Sequence, residues 1–467
     1  MWAPALRNLR MKEEYSTSRS TISSSSSRPK EQLTQSFVGV ARLLPSSAVV
    51  RQVDRWIDAH KKNLVDLTCR LVNIDTTVPP GLNYPRISQL LASELKELGV
   101  TPTVSVIPDA SMRRKVSPEV GLKGPRPNTY ATLKGEGEGP WVLLNGHVDV
   151  VPADPSGWSH DPFEPVVKNG KVYGRGAADM KGSNACEIFS MKALVETGAK
   201  FRGRITPTFT TDEEVGGYSG VNYLVDKHVI TKDMDYCLST DSGIEALHVA
   251  SLGDAEYLIT VHGRAAHSGR GWTGVNAIEY GASLIEDLKK LGEEISKRRS
   301  RINTEPGWGI RKMKPGLYVN TAKGGLKGNI IPDTFEILVD RRFIPEESEA
   351  QVRREIARVV KEFAAKHREV KVSMKMLLGY DPMLTSPNHP LVRTVRRVAR
   401  KVLGRDTPSC GSQGSTDMAA VSALGIPIAV LGATRQDSNI HGIDEHVRIN
   451  DLVSVTKILA HTFLELL

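Results

Sequence analysis

The chain has 467 residues, 40% of them hydrophobic and 25% charged, a composition typical of a globular protein with two or three domains. No stretch approaches the roughly 18 consecutive apolar residues that a membrane helix requires, so we expect no membrane association. The four cysteines are far apart and form no CxxC pair. This argues against a disulfide framework and a thiolate metal site, and it indicates a cytoplasmic protein.

The formal net charge of +9 raises the alternative of nucleic-acid binding. The positive charge is concentrated in residues 289–314 and 392–405. Around the second stretch, Leu391, Val395 and Val398 recur at helical spacing, which places the arginines on the opposite, solvated face. Neither stretch carries a recognised nucleic-acid-binding motif, so we expect no nucleic-acid partner.

Residues 1–48 differ in composition from the rest of the chain, because they are rich in serine and arginine and poor in apolar residues. This composition predicts a disordered extension. It resembles an organelle transit peptide only weakly, since Glu13, Glu14 and Glu31 add negative charge. A start at Met11 is an alternative interpretation of the same segment.

From residue 49 onwards, helix and strand patterns alternate. Residues 87–98 carry apolar side chains at helical spacing, and Gly99 follows as a helix stop. Residues 141–147, 203–211 and 426–433 are short apolar runs, typical of buried strands in a mainly parallel sheet. The alternation predicts an α/β layer architecture.

The middle of the chain has a different order of elements. It predicts a strand, a helix, two strands, a helix and a strand, in residues 254–263, 276–299, 316–324, 334–342, 348–367 and 370–377. This is the order of a split βαβ unit, which is a small domain of its own. We therefore predict an inserted domain at 251–379, between the two parts of a catalytic domain at 49–250 and 380–467.

Polar residues follow several of the predicted strands. The strand at 141–147 ends in His147, and Asp149 shares a face with it, so this carboxylate could orient the imidazole ring. Taken alone, each such motif also fits an ordinary turn or a solvated loop. Asp179, the pair Glu213–Glu214, Asp241 and His441 also lie in turns or at strand ends.

The carboxyl ends of the strands in an open α/β sheet meet at one edge, where ligands bind. Two imidazoles and several carboxylates at that edge suit two divalent ions, about 3.5–4 Å apart, with one carboxylate between them. We therefore predict a two-metal site. Zinc is the leading candidate, and cobalt and manganese tolerate the same ligands.

Taken in order, these motifs resemble those of the superfamily of acetylornithine deacetylase, succinyl-diaminopimelate desuccinylase, aminoacylase and carboxypeptidase G. The resemblance covers residues 50–467. It implies a zinc-peptidase-like catalytic domain with a mainly parallel sheet, and an inserted ferredoxin-like α+β domain that mediates dimerisation. It also implies a co-catalytic pair of metal ions.

The resemblance assigns a role to each residue of the predicted site. His147 and Asp241 correspond to ligands of one metal, and Glu214 and His441 to ligands of the other. Asp179 corresponds to the bridging carboxylate, which is followed in this superfamily by a cis peptide bond. Two further residues complete the set: Glu213 corresponds to the general base and Asp149 to the residue that steadies the first histidine. Many deacylases of the superfamily carry Glu where this chain has Asp241, so the substrate class stays open.

The inserted domain contributes further candidates. His267 resembles the histidine that reaches the active site of the partner subunit to stabilise the oxyanion, which implies a homodimer. Asn329 and Arg342 lie at the intervals of substrate-binding residues, and an arginine fork suits a carboxylate. Arg341 is adjacent and stays an alternative. Gly414 and Ser415 resemble residues that line the same pocket.

The leading hypothesis is a metal-dependent hydrolase that removes an acyl group from an N-acyl amino acid. In this mechanism, Glu213 takes a proton from a metal-activated water and returns it to the departing amine. A dipeptidase or carboxypeptidase of the same superfamily is the alternative among enzymes. A catalytically silent binding protein is the alternative from another class, but it predicts the loss of a ligand or of Glu213, and all of these residues are present.

Overall fold

The computed structural model describes residues 45–116 and 118–467. The predicted disordered extension, residues 1–48, therefore lies outside the described residues except for its end, where the first helix begins at Ser47. The α-helices of the described chain are α1 (Ser47–Ala59), α2 (Lys61–Val72), α3 (Tyr84–Lys96), α4 (Asp109–Lys115), α5 (Gly182–Glu196), α6 (Tyr223–Asp226), α7 (Ala277–Ile295), α8 (Glu349–Lys366), α9 (Pro390–Leu403), α10 (Met418–Ala423) and α11 (Ile449–Leu466).

The larger sheet has nine strands. They are β1 (Thr103–Val106), β2 (Pro127–Tyr130), β3 (Leu133–Lys134), β4 (Trp141–His147), β7 (Arg204–Thr210), β8 (Tyr236–Ser239), β9 (Leu247–Ala250), β16 (Ser409–Gly411) and β17 (Ile428–Val430). The order is β1-β2-β7-β4-β8-β17-β9-β16, and β3 pairs with β7. The centre, β7-β4-β8-β17, is parallel as predicted, whereas β1, β2 and β3 pair in antiparallel fashion. The carboxyl ends of the central strands therefore lie at one edge.

The second sheet comes from one continuous stretch and has the order β12-β14-β10-β15. Its strands are β10 (Gly253–His262), β12 (Gly316–Gly324), β14 (Thr334–Phe343) and β15 (Lys371–Tyr380). With α7 and α8 it reproduces the predicted split βαβ order. The stretch coincides with the predicted inserted domain at 251–379, whose independence as a domain stays a prediction.

Two small sheets complete the structure. One pairs β11 (Ala266–His267) with β13 (Ile330–Ile331), and the other joins β5 (Val166–Lys168), β6 (Lys171–Tyr173) and β18 (His446–Arg448). The sequence pattern did not predict them, because strands of two or three residues are too short to show a periodicity.

The core of the main sheet is built around α5. This helix is buried from Gly182 to Leu194, because β4 lies on one side of it and α2 and α11 lie on the other. It therefore lacks the polar stripe of a surface helix. A separate hydrophobic core lies between the second sheet and α7 and α8.

The arginine-rich helix α9 has the two faces that the sequence predicts. Leu391, Val395 and Val398 are buried, whereas Arg396 and Arg397 are half-exposed and pair with acidic residues of the same chain. Among the described residues, no helix combines the length and the apolar character that crossing a bilayer requires.

Successive side chains of β14 point to opposite faces of the sheet, so the neighbouring residues Arg341 and Arg342 face opposite sides. Arg341 points towards α7 and α8, in the same row as the apolar residues of this strand, and it is fully buried. Its Nη2 atom lies 2.9 Å from a carboxylate oxygen of Glu347 and 3.6 Å from one of Glu355. Arg342 faces the opposite side. The structure therefore removes Arg341 as an alternative for binding a substrate carboxylate.

We expect Arg341→Ala to lower the free energy of unfolding by about 3 kcal/mol or more, since removing one partner of a buried ion pair leaves the other charge poorly compensated. Arg358→Ala is the matched control, because Arg358 is exposed and pairs with Glu362 on the helix surface. We expect its effect to stay below about 0.5 kcal/mol. Urea denaturation measures both, and equal effects would contradict the structural role of Arg341.

Candidate metal centre

His147 is the last residue of β4, and its ring is buried at the carboxyl edge of the main sheet. Its Nε2 atom lies 3.0 Å from Oδ1 of Asp179, and its Nδ1 atom lies 3.1 Å from the carbonyl oxygen of Asp149. The carboxylate of Asp149 is 3.6 Å from the ring and accepts the backbone N–H of Glu214 at 3.0 Å. Asp149 thus lies beside the imidazole with both its carbonyl oxygen and one carboxylate oxygen, while its other carboxylate oxygen holds the backbone of Glu214.

Asp179 lies in a turn that packs against Glu445, in the loop between β17 and β18. Its peptide bond to Met180 is cis, as predicted. The carboxylate of Glu445, which is fully buried, accepts the backbone N–H groups of Ala178 at 2.9 Å and of Asp179 at 3.1 Å. Arg175 pairs with the other oxygen of Glu445. The sequence analysis did not identify Glu445, although it lies only four residues after His441.

The turn that carries Glu213 and Glu214 is fixed by the residue before them. Asp212 has a left-handed backbone conformation with φ of 65°, and its carbonyl oxygen accepts the N–H of Gly217 at 2.6 Å. Its buried carboxylate accepts hydrogen bonds from two side chains of distant segments, Tyr84 at 2.7 Å and Arg126 at 2.9 Å, and from the nearby Ser219. The sequence analysis missed Tyr84 and Arg126, because nothing in their own sequence surroundings indicates a contact with Asp212.

Two groups of potential ligands converge and share Asp179. They are His147, Asp179 and Asp241 in one group, and Asp179, Glu214 and His441 in the other. Within each group the ligand atoms lie within 4.8 Å of one another. His441 Nε2 is 3.1 Å from Glu214 and 3.3 Å from the second oxygen of Asp179. Nitrogen and oxygen donors in this arrangement fit two divalent ions with a shared carboxylate.

The electrostatics of the cluster reflect many acids in a small buried space. Burial raises the pKa of Glu213 well above its usual range, and the charges of Asp241 and Asp417 raise it further. Burial and the charge of Asp179 raise the pKa of Asp241 to about 7. Hydrogen bonds to Asp179 and Glu214 raise the pKa of His441 to about 10. Bound cations would relieve this repulsion and would displace the proton from the imidazole.

Two further polar residues border the cluster. Asp417 is buried, and one of its carboxylate oxygens has no hydrogen-bond partner in residues 45–116 and 118–467. The hydroxyl of Tyr380 is likewise buried and unpaired within those residues. Burial raises the pKa of Tyr380, and the charges of Glu213 and Asp417 add to this effect. The sequence analysis identified neither residue.

His267 and Asn329 belong to the small sheet of β11 and β13, where His267 ends β11 and Asn329 directly precedes β13. Both are exposed, and the carbonyl oxygen of Asn329 accepts the N–H of Ser268 at 3.0 Å. His267 Nδ1 accepts the N–H of Gly269 at 3.0 Å. In the described part of the chain, no hydrogen bond or ion pair joins His267 to the five predicted ligands.

Arg342 and the predicted pocket residues Gly414 and Ser415 come together. Nη1 of Arg342 donates to the hydroxyl of Ser415 at 3.1 Å, and the carbonyl oxygen of Gly414 accepts the N–H of Leu252 at 3.0 Å. The guanidinium also contacts two carboxylates, at 2.9 Å for Asp340 and 3.1 Å for Asp254. It is therefore engaged within the protein rather than presented as a free fork.

Comparison with known proteins identifies the class. Residues 143–465 match the peptidase family M20/M25/M40, which is more than half of the chain. The protein therefore belongs to this family of metal-dependent hydrolases. The superfamily resemblance drawn from the motifs is confirmed.

The individual relatives show limited sequence identity to this chain. The N-formyl-4-amino-5-aminomethyl-2-methylpyrimidine deformylase of Bacillus subtilis (strain 168) is 27% identical over 441 residues, covering 88% of this chain and 96% of the relative. The succinyl-diaminopimelate desuccinylase of Marinobacter nauticus is 26% identical over 398 residues, covering 79% of this chain and 100% of the relative. The crystal structure of human carnosine dipeptidase 1 has a similar fold, with a TM-score of 0.69, 21% identity and coverage of 90% and 99%.

We expect Glu445→Ala to weaken metal binding by about 10- to 100-fold, the usual effect of losing a residue that holds a ligand in place. The substitution leaves the N–H groups of Ala178 and Asp179 without their acceptor. The control is Asp437→Ala, since Asp437 belongs to the same segment but is exposed and pairs with Arg448. Calorimetric titration with Zn²⁺ measures both variants, and unchanged affinity in Glu445→Ala would contradict this role.

Proposed function

We propose that the protein is a deacylase that cleaves the amide bond of N-acyl amino acids or related N-acyl amines, with a water as nucleophile and Glu213 as general base. The observation that carries this proposal is the pair of ligand groups that share Asp179, with Glu213 directly beside the ligand Glu214. Hydrolysis of an amide needs an activated water, a proton carrier and stabilisation of the oxyanion: Glu213 would carry the proton, and the ligand groups would hold the ions that activate the water and polarise the carbonyl.

The proposed cofactors are two divalent ions, zinc in the first place and cobalt or manganese as alternatives. His147 and Asp241 would hold one, Glu214 and His441 would hold the other, and Asp179 would contact both. When bound, such ions supply a Lewis acid and bring the pKa of a coordinated water towards neutrality. The mixture of imidazole and carboxylate donors supports this assignment.

Glu213 and Glu214 would have separate roles, because one carboxylate could not both bind a metal ion tightly and transfer a proton freely. Glu214 is 3.1 Å from His441 and is committed to the ligand group, whereas Glu213 belongs to neither group. The pKa of Glu213 is raised by burial and by neighbouring acids, which suits a residue that takes a proton from water and returns it to the departing amine.

The relatives support acyl transfer to water as the reaction class. By their names, one removes a formyl group from an aminomethylpyrimidine and the other removes a succinyl group from diaminopimelate. Both remove an acyl group from a primary amine, which is why we place a deacylase first. A dipeptidase or carboxypeptidase is the alternative, since the same cluster would also hydrolyse a peptide bond.

We further propose a homodimer in which His267 completes the site of the partner subunit. The exposure of this side chain, and the lack of a hydrogen bond or ion pair between it and the predicted ligands within the described residues, support a role in trans. A cytoplasmic location is also proposed, and the four free cysteines of the described chain are compatible with a reducing compartment.

We expect Glu213→Gln to lower kcat by about 10²- to 10⁴-fold while two metal ions stay bound, because the amide cannot carry the proton. Glu214→Gln should instead lower the metal content. The assay measures free amine released from a panel of N-formyl, N-acetyl and N-succinyl amines and of dipeptides, with and without chelator. Activity of Glu213→Gln close to that of the wild type would contradict the proposal.

Complementation tests the trans role of His267. Glu213→Gln and His267→Ala are each expected to be inactive as homodimers, whereas their mixed dimer contains one site with both an intact Glu213 and a partner's intact His267. Random mixing should restore about a quarter of the wild-type activity, since half of the dimers are mixed and each has one working site. No recovery in dimers shown to be mixed would contradict the role in trans.

A further inference from the structure

The chain between α7 and β12 forms a hairpin that rests against the main sheet. Its two arms are joined by a backbone hydrogen bond from the N–H of Thr304 to the carbonyl oxygen of Arg311, at 3.1 Å. We call residues 300–313 the docking hairpin. The carbonyl oxygen of Asn303 accepts the N–H of Gly411, which belongs to the edge strand β16, at 2.8 Å. The docking hairpin therefore links the stretch of the second sheet to the main sheet.

Glu305 is the one acidic residue of the docking hairpin. Its Oε2 atom lies 3.2 Å from Nε2 of His248 on β9, and both side chains are largely buried. Nδ1 of the same imidazole lies 2.9 Å from the hydroxyl of Ser242. A carboxylate accepts hydrogen bonds, so Nε2 donates, and Nδ1 of the neutral ring accepts the hydroxyl proton of Ser242. These three residues, which we call the polar triplet, lead from the docking hairpin to the residue after the predicted ligand Asp241.

Asp241 has little support of its own. Within the described residues its carboxylate receives no hydrogen bond, and its N–H donates to Oγ of Ser239 only at 3.4 Å. Ser242 is held on three sides instead. Its N–H donates to the carbonyl oxygen of Thr240 at 3.0 Å, its carbonyl oxygen accepts the N–H of Thr434 at 3.3 Å, and its hydroxyl contacts the imidazole of the polar triplet. The position of Asp241 therefore depends on the residue that follows it.

Both carboxylate oxygens of Glu305 face the turn that carries Asp241. Oε2 contacts the ring of His248, and a Cβ atom added at Gly243 would lie 3.7 Å from Oε1. Burying a carboxylate costs free energy. The docking hairpin already rests on the main sheet through main-chain bonds, so docking alone does not explain this side chain. A buried carboxylate that orients an imidazole beside a metal site is instead an arrangement that holds ligands in place.

Support of this kind recurs around the metal centre. Buried carboxylates accept the backbone N–H groups of two other predicted ligands, Asp179 and Glu214. Glu305 would support Asp241 in the same way, but through an imidazole and a hydroxyl rather than directly. It also comes from a different part of the chain, so this support depends on how the docking hairpin lies against the main sheet.

We propose that Glu305, through the other two members of the polar triplet, is a positioning residue for Asp241. The docking hairpin thereby completes one of the two metal positions, and the ion contacted by His147 and Asp241 is held tightly only when the hairpin rests on the main sheet. This inference rests on the proposed function, because it takes Asp241 as a metal ligand. It gives the stretch of the second sheet a role within its own subunit, separate from the role proposed for the partner subunit.

Calorimetric titration of Zn²⁺ into the metal-free, full-length chain tests the inference. Glu305→Ala should weaken one of the two zinc-binding events about 10- to 100-fold, the usual effect of losing a residue that orients a ligand, and leave the other unchanged. The weakened event should be the one that Asp241→Asn weakens, and not the one that Glu214→Gln weakens. An equal loss at both events would indicate a general disturbance of the structure and would overturn the inference.

Two further variants are the controls. Glu305→Gln keeps an oxygen that accepts the imidazole N–H, and it should retain most of the zinc affinity that Glu305→Ala loses. Gln413→Ala removes a side chain that bonds the backbone of Lys314, directly after the docking hairpin, at 3.2 and 3.3 Å. Both of its zinc-binding events should match those of the wild type. Equal losses in Glu305→Ala and Gln413→Ala would overturn the inference, because docking alone would then account for them.

A double-mutant cycle tests whether the polar triplet acts as a unit. Ser242→Ala removes its last member and should weaken the same zinc-binding event. The double variant should then lose no more affinity than the larger of the two single losses, because both substitutions interrupt one series of contacts. Losses that multiply would show two independent effects and would contradict the inference. Urea denaturation of each variant confirms that the chain is folded under the conditions of the titration.

Zinc binding separates this inference from the proposed function, since the titration does not depend on turnover. Selective loss of one zinc-binding event in Glu305→Ala would support the inference even if no substrate of the activity panel were hydrolysed, and the proposed function alone would then fail. Two zinc ions bound equally well by the wild type and by Glu305→Ala would overturn the inference while leaving the hydrolase intact.

Discussion

The repulsion among carboxylates at the carboxyl edge of the main sheet is the constraint on which the structure depends. Asp179, Glu213, Glu214 and Asp241 share this small volume, and burial there makes their charges more costly than in water. Only cations can compensate so many acids. Hydrogen bonds to Asp179 and Glu214 likewise raise the pKa of the nearby imidazole of His441, so these acids favour positive charge beside them.

A second set of carboxylates holds the first set in place. Asp149 and Glu445 accept the backbone N–H groups of Glu214 and Asp179, and Asp212 is anchored by a tyrosine, an arginine and a serine. These contacts fix the main chain rather than the reactive side chains. Ligands on turns thereby gain the rigidity that a metal site needs, although turns are otherwise the more mobile parts of a protein.

Much of the fold and of the candidate site could be predicted from the sequence, because local sequence patterns indicate both. Apolar runs indicated the central strands, the polar residues after them indicated the edge, and the order of elements indicated the second sheet. The anchors of Asp212 could not be predicted, since Tyr84 and Arg126 lie far from it in the chain and their contact depends on packing. The orientation of Arg341 could also have been predicted, because apolar residues alternate along β14 and Arg341 lies on the same face of the strand as they do.

The loop after β17 contributes both His441 and Glu445, so one short segment contacts a ligand group directly and also holds the main chain of the shared Asp179. A displacement of this loop would alter both ligand groups together. We therefore expect the two candidate metal positions to be linked in the thermodynamic sense: an ion held in one ligand group would organise the loop for the other, and the pair would fill cooperatively rather than as two independent sites.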